Sequence, residues 1–186
     1  MSSSPTTIQI SDIDTSSAYG FVINGVDADD YSGYSVSGAG DVNGDGFDDL
    51  IVGAYQADPN GNIGSGSSYV VFGTDNTNVV FGTSYDNHPD DFPAIQLSDL
   101  EGGSGNGFVI NGVDAYDYSG YSVSAAGDVN GDGLDDLIVG AYQADPNGNI
   151  ESGSSYVVFG TTDTTAIELS DLEGGSGNGF VINGVD

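Results

Sequence analysis

Apolar residues in this chain come in short runs, some alternating with Ser or Gly and some wholly apolar, each closed by a cluster of Gly, Asn, Asp or Ser. A period of two over runs this short predicts β-strands rather than helices. Four runs make up a first unit: Tyr34 to Ala39, Leu50 to Tyr55, Tyr69 to Phe72, and Phe108 to Val113, the last reached through a long connection. A second unit repeats them as Tyr121 to Ala126, Leu137 to Tyr142, Tyr156 to Phe159 and Phe180 to Val185. A shorter apolar piece in each connection, Ile95 to Leu97 or Ile167 to Leu169, is expected to form a β-bridge.

The units are near-copies. Gly20 to Gly73 recurs as Gly107 to Gly160, displaced by 87 positions, and the segment GFVINGVD starts at Gly20, Gly107 and Gly179. The two intervals, 87 and 72, differ by one insertion of 15 residues that lies between Gly73 and Ala94 and contains His88. This divides the chain into an N-terminal connection (1–19), a first unit with its preceding outer strand and the insertion at 74–94 (20–113), and a second unit (114–186). Four-stranded units of this kind cannot bury both faces alone, and radial stacking as the blades of a β-propeller is the usual way to cover them. The predicted fold is therefore all-β, with two complete antiparallel four-stranded blades and one spare outer strand, Phe21 to Val26. Sandwiches and barrels explain the near-identity of the units less well, because their strands occupy inequivalent environments.

Composition sharpens this picture. The 186 residues include 29 Asp or Glu and no Lys or Arg, a formal net charge of -29, with one His and no Cys. A surface without cations cannot neutralise phosphates, so neither nucleic acid nor an anionic membrane is an expected partner. Disulfides and Cys-ligated zinc or iron-sulfur sites are impossible. No apolar run approaches the about 18 residues of a spanning helix, so membrane insertion is not expected, and Met1 to Ser11 lacks the basic and apolar regions of a signal peptide. Like charges this unbalanced repel one another in the compact state unless cations are supplied from outside.

The sequence says where. Between the first two strands of each unit lies an acidic loop, DVNGDGFDD from Asp41 to Asp49 and DVNGDGLDD from Asp128 to Asp136. Side-chain oxygens stand at positions one, three, five and nine, namely Asp41, Asn43, Asp45 and Asp49, then Asp128, Asn130, Asp132 and Asp136. Position seven, Phe47 or Leu134, offers a backbone carbonyl, and the glycine at position six permits the sharp turn that lets the donors converge. Hard oxygen donors with several carboxylates suit Ca²⁺ better than Mg²⁺ or zinc, and predict two structural calcium ions per chain. Such residues also make plain turns, but a turn alone does not need three acids facing one point in duplicate. EF-hands begin in the same way, yet need a bidentate Glu at position twelve, where this chain has Val52 and Val139 within an apolar β-like run. Tandem nonapeptides of a calcium-binding β-roll are absent.

DVNGDGFDDLIVGAY and DVNGDGLDDLIVGAY, each preceded by YSGYSVS and followed by GSSYVVFG, resemble FG-GAP repeats, the blades of integrin α-subunit propellers and of many bacterial surface proteins. The resemblance implies a calcium ion in the loop joining the innermost two strands, held by the residues just named. It also implies a secreted or surface protein that binds proteins or glycans and is not an enzyme. Ser32-Gly33 and Ser119-Gly120 stand where the family has Phe-Gly, and Gly-Ala-Tyr (Tyr55, Tyr142) where it has Gly-Ala-Pro.

Propellers have about four to eight blades, so two cannot close a ring. The missing ones are expected either from copies of the chain, as a trimer or tetramer, or from a longer parent chain. Two rival functions stay open: an architectural spacer in a large repeat protein, and a polysaccharide-acting hydrolase or lyase propeller. A Ser-His-Asp centre would have to use His88, which has no counterpart in the second unit. Tyr31, Tyr34, Tyr118 and Tyr121 are read as packing rather than as an aromatic binding strip, and Asp27, Asp29, Asp30, Asp114 and Asp117 as solvated loop acids.

Overall fold

Alternation of Val, Ile and Tyr with Ser and Gly builds two antiparallel sheets in the computed structural model, which describes residues 21–74, 94–103 and 105–185. The N-terminal connection 1–19, and residues 75–93 of the insertion with His88, lie outside the described residues. The first sheet contains β2 (Ser35–Gly40), β3 (Asp49–Ala54), β4 (Ser67–Val71) and β6 (Gly107–Asn111), paired antiparallel in that order. The second repeats it as β7 (Ser119–Gly127), β8 (Asp136–Ala141), β9 (Ser154–Val158) and β11 (Gly179–Asn183). These are the two predicted blades. The third strand of each starts two residues earlier than predicted, because Ser67 and Ser154 still ladder with Ala54 and Ala141. The fourth stops at Asn111 or Asn183, short of Val113 and Val185.

Three short strands complete the topology: β1 (Val22–Asn24), β5 (Ala94–Gln96) and β10 (Ile167–Glu168). The connection of the second blade sends β10 back to pair in parallel with β6, the outer strand of the first blade. In the same way β5, from the connection of the first blade, pairs in parallel with β1. The predicted bridges thus exist, and they stitch each blade to the outer strand of the one before it. The spare outer strand is three residues long and is held by its own chain. After each bridge the sequence LSDLE curls into a helical turn, the 3₁₀ turn Leu97–Asp99 and the helix α1 (Leu169–Glu173). Leu97, Leu100, Leu169 and Leu172 are all buried. One turn of helix is too short to show a 3.6-residue period, which is why the sequence pattern missed it.

Side chains of the first sheet alternate between two cores. Ile51, Val70, Phe108 and Ile110 pack against Leu137, Val139, Tyr156 and Val158 of the second blade. Val52, Tyr69, Val71 and Val109 face the other way, onto Ile95, Leu97 and Leu100 and onto Ile23 of β1. Tyr69 and Tyr156 keep their buried hydroxyls satisfied by donating to Glu101 and Glu173, at 3.1 and 2.8 Å. The outer face of the second blade has no such cover. Phe180 is 39% exposed and Ile182 51%, whereas their equivalents Phe108 and Ile110 are fully buried. Val36 on β2 is exposed while its equivalent Val123 is buried, so the front of the first blade is open at its innermost strand, although the rest of that face is covered.

Candidate metal-binding loops

Each acidic loop joins the first two strands of its blade, β2 to β3 and β7 to β8. Its chain reversal depends on left-handed glycines, Gly44 at φ 77° and Gly46 at φ 91°. Asp41 closes the turn: Oδ1 accepts from the amides of Gly44 (2.8 Å) and Asp45 (3.0 Å), and Oδ2 from Gly46 (3.0 Å). Asn43 Oδ1 accepts from the Asp45 amide at 2.8 Å, Asn43 Nδ2 donates to Asp45 Oδ2 at 2.9 Å, and Asp45 Oδ1 accepts from the Phe47 amide. The second loop reproduces every one of these bonds among Asp128, Asn130, Gly131, Asp132, Gly133 and Leu134.

The ninth residue plays a different part. Asp49 opens β3 fully buried, its Oδ2 accepting from the Val42 amide (2.9 Å) and Oδ1 from the Gly73 amide (2.7 Å). Asp136 does the same with Val129 (2.7 Å) and Gly160 (2.9 Å), which anchors each loop to the end of the third strand. Burial pushes the Asp49 carboxyl up to about 6; the two amides pull it down, and the charges of Asp45 and Asp41 push it further up.

The structure therefore brings positions one, three and five into one hydrogen-bonded turn and sets position nine at its base, with Phe47 and Leu134 between. Among the described residues no three acids are already gathered as a metal cluster. The carboxylates are engaged with backbone amides, and the Asn43 amide nitrogen is turned toward Asp45. The donor set still suits a hard divalent ion: three carboxylates and an amide on one loop, in a chain without Lys or Arg to offset them.

The sequence reading missed the eighth position. Asp135 Oδ2 accepts from the Asp41 amide at 2.9 Å, and the Asp135 amide donates to the Asp41 carbonyl at 3.0 Å, so the second loop is clamped onto the first. Gly40, at φ 75°, is required here, because a Cβ would lie 2.1 Å from Asp135 Oδ2. Nothing in one sequence marks this acid among so many. Asp135→Ala is expected to cost about 1 to 2 kcal/mol by leaving the Asp41 amide without its charged partner. Asp48→Ala, at the exposed equivalent, should stay within about 0.5 kcal/mol. Urea unfolding of the two variants compares them.

The tyrosines pack as expected, between the blades and onto one another at the surface: the Tyr34 ring contacts those of Tyr55 and Tyr121, and the Tyr31 ring that of Tyr55. One further expectation needs correction. Asp117 is not a solvated loop acid; it is buried, accepting from the Asp114 amide, while Asp27, Asp29 and Asp114 are exposed. Burial pushes its carboxyl up to about 6, the Asp114 amide opposes this, and Asp114, Asp145 and Glu173 add repulsion. A folded pKa above the unfolded value means that the folded state binds more protons between about pH 4 and 6, so stability falls as pH rises through that window. Allowing for partial solvation, the loss is about 1 kcal/mol. Asp117→Asn should remove that part of the slope when unfolding midpoints of both proteins are compared across the window.

Both loops fall inside segments that match the model of the FG-GAP repeat, residues 32–71 and 119–158. This is an FG-GAP repeat protein. Over 165 residues the FG-GAP chain is 32% identical to integrin alpha pat-2 of Caenorhabditis elegans, a match covering 83% of the chain and 12% of that protein. Integrin alpha pat-2 of Caenorhabditis briggsae is 36% identical over 101 residues, 50% of the chain and 8% of that protein. The FG-GAP chain thus matches about a tenth of the length of these relatives.

Proposed function

We propose that this chain is a non-enzymatic, calcium-stabilised β-propeller segment of a secreted or surface protein, serving adhesion through a protein or glycan ligand. The observation that carries the reading is the duplicated oxygen-donor loop, placed identically between the first two strands of each FG-GAP blade in a chain that has no cation of its own. Asp41, Asn43, Asp45, Phe47 and Asp49 would hold one Ca²⁺, and Asp128, Asn130, Asp132, Leu134 and Asp136 the other. The ion would supply the positive charge that offsets the three carboxylates. The integrin α relatives support adhesion and a surface location. No helix among the described residues is long and apolar enough to cross a membrane.

We infer further that the missing blades come from copies of the chain, a reading supported by its exposed apolar positions. Val36 at the front and Phe180 and Ile182 at the rear occupy positions that are buried wherever two blades meet in this chain. A second copy, rear face to front face, covers both, and repetition closes a ring of three or four chains. Calorimetric titration with Ca²⁺ should give two ions per chain, reduced to one by Asp45→Ala or by Asp132→Ala. Absence of binding heat, or a stoichiometry unchanged in both variants, overturns the calcium reading. Native mass spectrometry of the loaded protein tests the ring, and a strict monomer rules out closure by copies.

A further inference from the structure

We propose that Tyr34 and Tyr121 form an oxidative cross-link site, an intramolecular dityrosine that welds the first blade to the second when a haem peroxidase and hydrogen peroxide supply the oxidising equivalents. The two residues are 87 positions apart and come from equivalent places in the two repeats, Tyr34 just before β2 and Tyr121 within β7. Their hydroxyls are hydrogen bonded at 3.0 Å, and their ring centroids lie 5.0 Å apart with planes inclined at 39°. Hydroxyls that meet in this way bring the neighbouring ring carbons, Cε of each tyrosine, toward each other. A biaryl bond between those carbons keeps the two oxygens adjacent and tolerates a twist between the planes.

Chemistry and surroundings favour the same pair. A phenol that loses one electron and its proton becomes a phenoxyl radical with spin on oxygen and on the ring carbons beside it. Two such radicals join through Cε, and each coupled ring then moves its Cε hydrogen to oxygen to become aromatic again. The chain loses two hydrogen atoms in total, and one peroxide takes them up to give two waters. Tyr34 is 55% and Tyr121 37% exposed, so solvent can accept the protons and an oxidant can reach the rings. With no Cys or Trp and a single Met in the chain, the 11 tyrosines are its main oxidisable groups. Tyr55, Tyr118 and Tyr142 are in ring contact with the pair or with one another, which lets a radical formed on one ring pass to its neighbour. The rings of Tyr121 and Tyr142 lie closer, at 4.5 Å, but among the described residues only Tyr34 and Tyr121 join two tyrosine hydroxyls directly.

The test treats the full chain, at low concentration, with peroxidase and hydrogen peroxide. The expected product is one monomer lighter by two hydrogen atoms, with dityrosine fluorescence. Digestion at aspartate, since trypsin has no site here, should link the peptide carrying Tyr34 to the one carrying Tyr121. Tyr34→Phe and Tyr121→Phe keep the ring packing but should each abolish this product, whereas Tyr31→Phe should leave it. The same reaction in concentrated urea should lose the selectivity. A cross-link mapped to another pair, a yield untouched by Tyr34→Phe, or products joining only different molecules would overturn the proposal.

Discussion

Chelation of calcium is expected to lower the melting temperature of this protein by about ten degrees, through the linkage between an ion bound only by the folded state and stability. With a dissociation constant of about 10 to 100 μM and millimolar free calcium, each site contributes about 1.4 to 2.7 kcal/mol. Two sites then supply a large share of a typical stability of about 5 to 15 kcal/mol. The physical basis is the same in both loops: two carboxylates and an amide held in one turn, a third carboxylate, the buried Asp49 or Asp136, at its base, and no Lys or Arg anywhere in the chain. Magnesium at the same ionic strength should restore much less, because the ligand set is flexible and offers backbone oxygen rather than a tight octahedron. The double variant Asp45→Ala, Asp132→Ala should melt at the same temperature with and without chelator. An unchanged melt of the unmodified chain would remove the structural-calcium reading.

Phe108→Ala is expected to be among the most damaging single changes, at about 3 to 5 kcal/mol, since it opens a cavity where the two blades meet. Phe108 is fully buried and makes an edge contact with Phe72 at 5.9 Å between centroids. Phe180 holds the equivalent place in the second blade and keeps the matching contact with Phe159 at 6.1 Å, yet 39% of it faces solvent. In a monomer Phe180→Ala should therefore cost about 1 to 2 kcal/mol, in proportion to the smaller area it removes from water. In a ring of copies that residue is covered, and its substitution should approach the cost of Phe108→Ala and make stability depend on protein concentration. Urea midpoints at two concentrations distinguish these cases.

Both blades were legible in the chain because their strands alternate cleanly and occur twice; only the ends moved, where Ser67 and Ser154 extend a ladder that apolar patterning does not mark. The bridges at Ile95 and Ile167 were visible as apolar pieces, but their partners were not, since a parallel pair across the gap between blades leaves no local trace. The helical turn at Leu169–Glu173 was hidden by its brevity. In the loops, Asp41 to Asp49 stood out by spacing, whereas Asp135 gains its meaning only when the second loop lies under the first. Asp117 misled for a related reason: composition assigns an acid to the surface, and only the fold shows that the turn from Asp114 closes over it.

The short strand β1 has a consequence for how such chains could multiply. Phe21 to Val26 and Phe180 to Val185 are the same six residues, FVINGV, one before the first blade and one closing the second. If the ring proposed above forms, an arriving copy that offers its β11 to β5 would have to evict a strand of identical sequence, so the exchange itself would gain nothing and the gain would have to come from the blade faces behind it. Head-to-tail contacts that fail to close otherwise run on into filaments. In the proposed ring of copies, β1 would act as a placeholder, admitting a neighbour that docks its whole blade and turning away one that brings a bare edge.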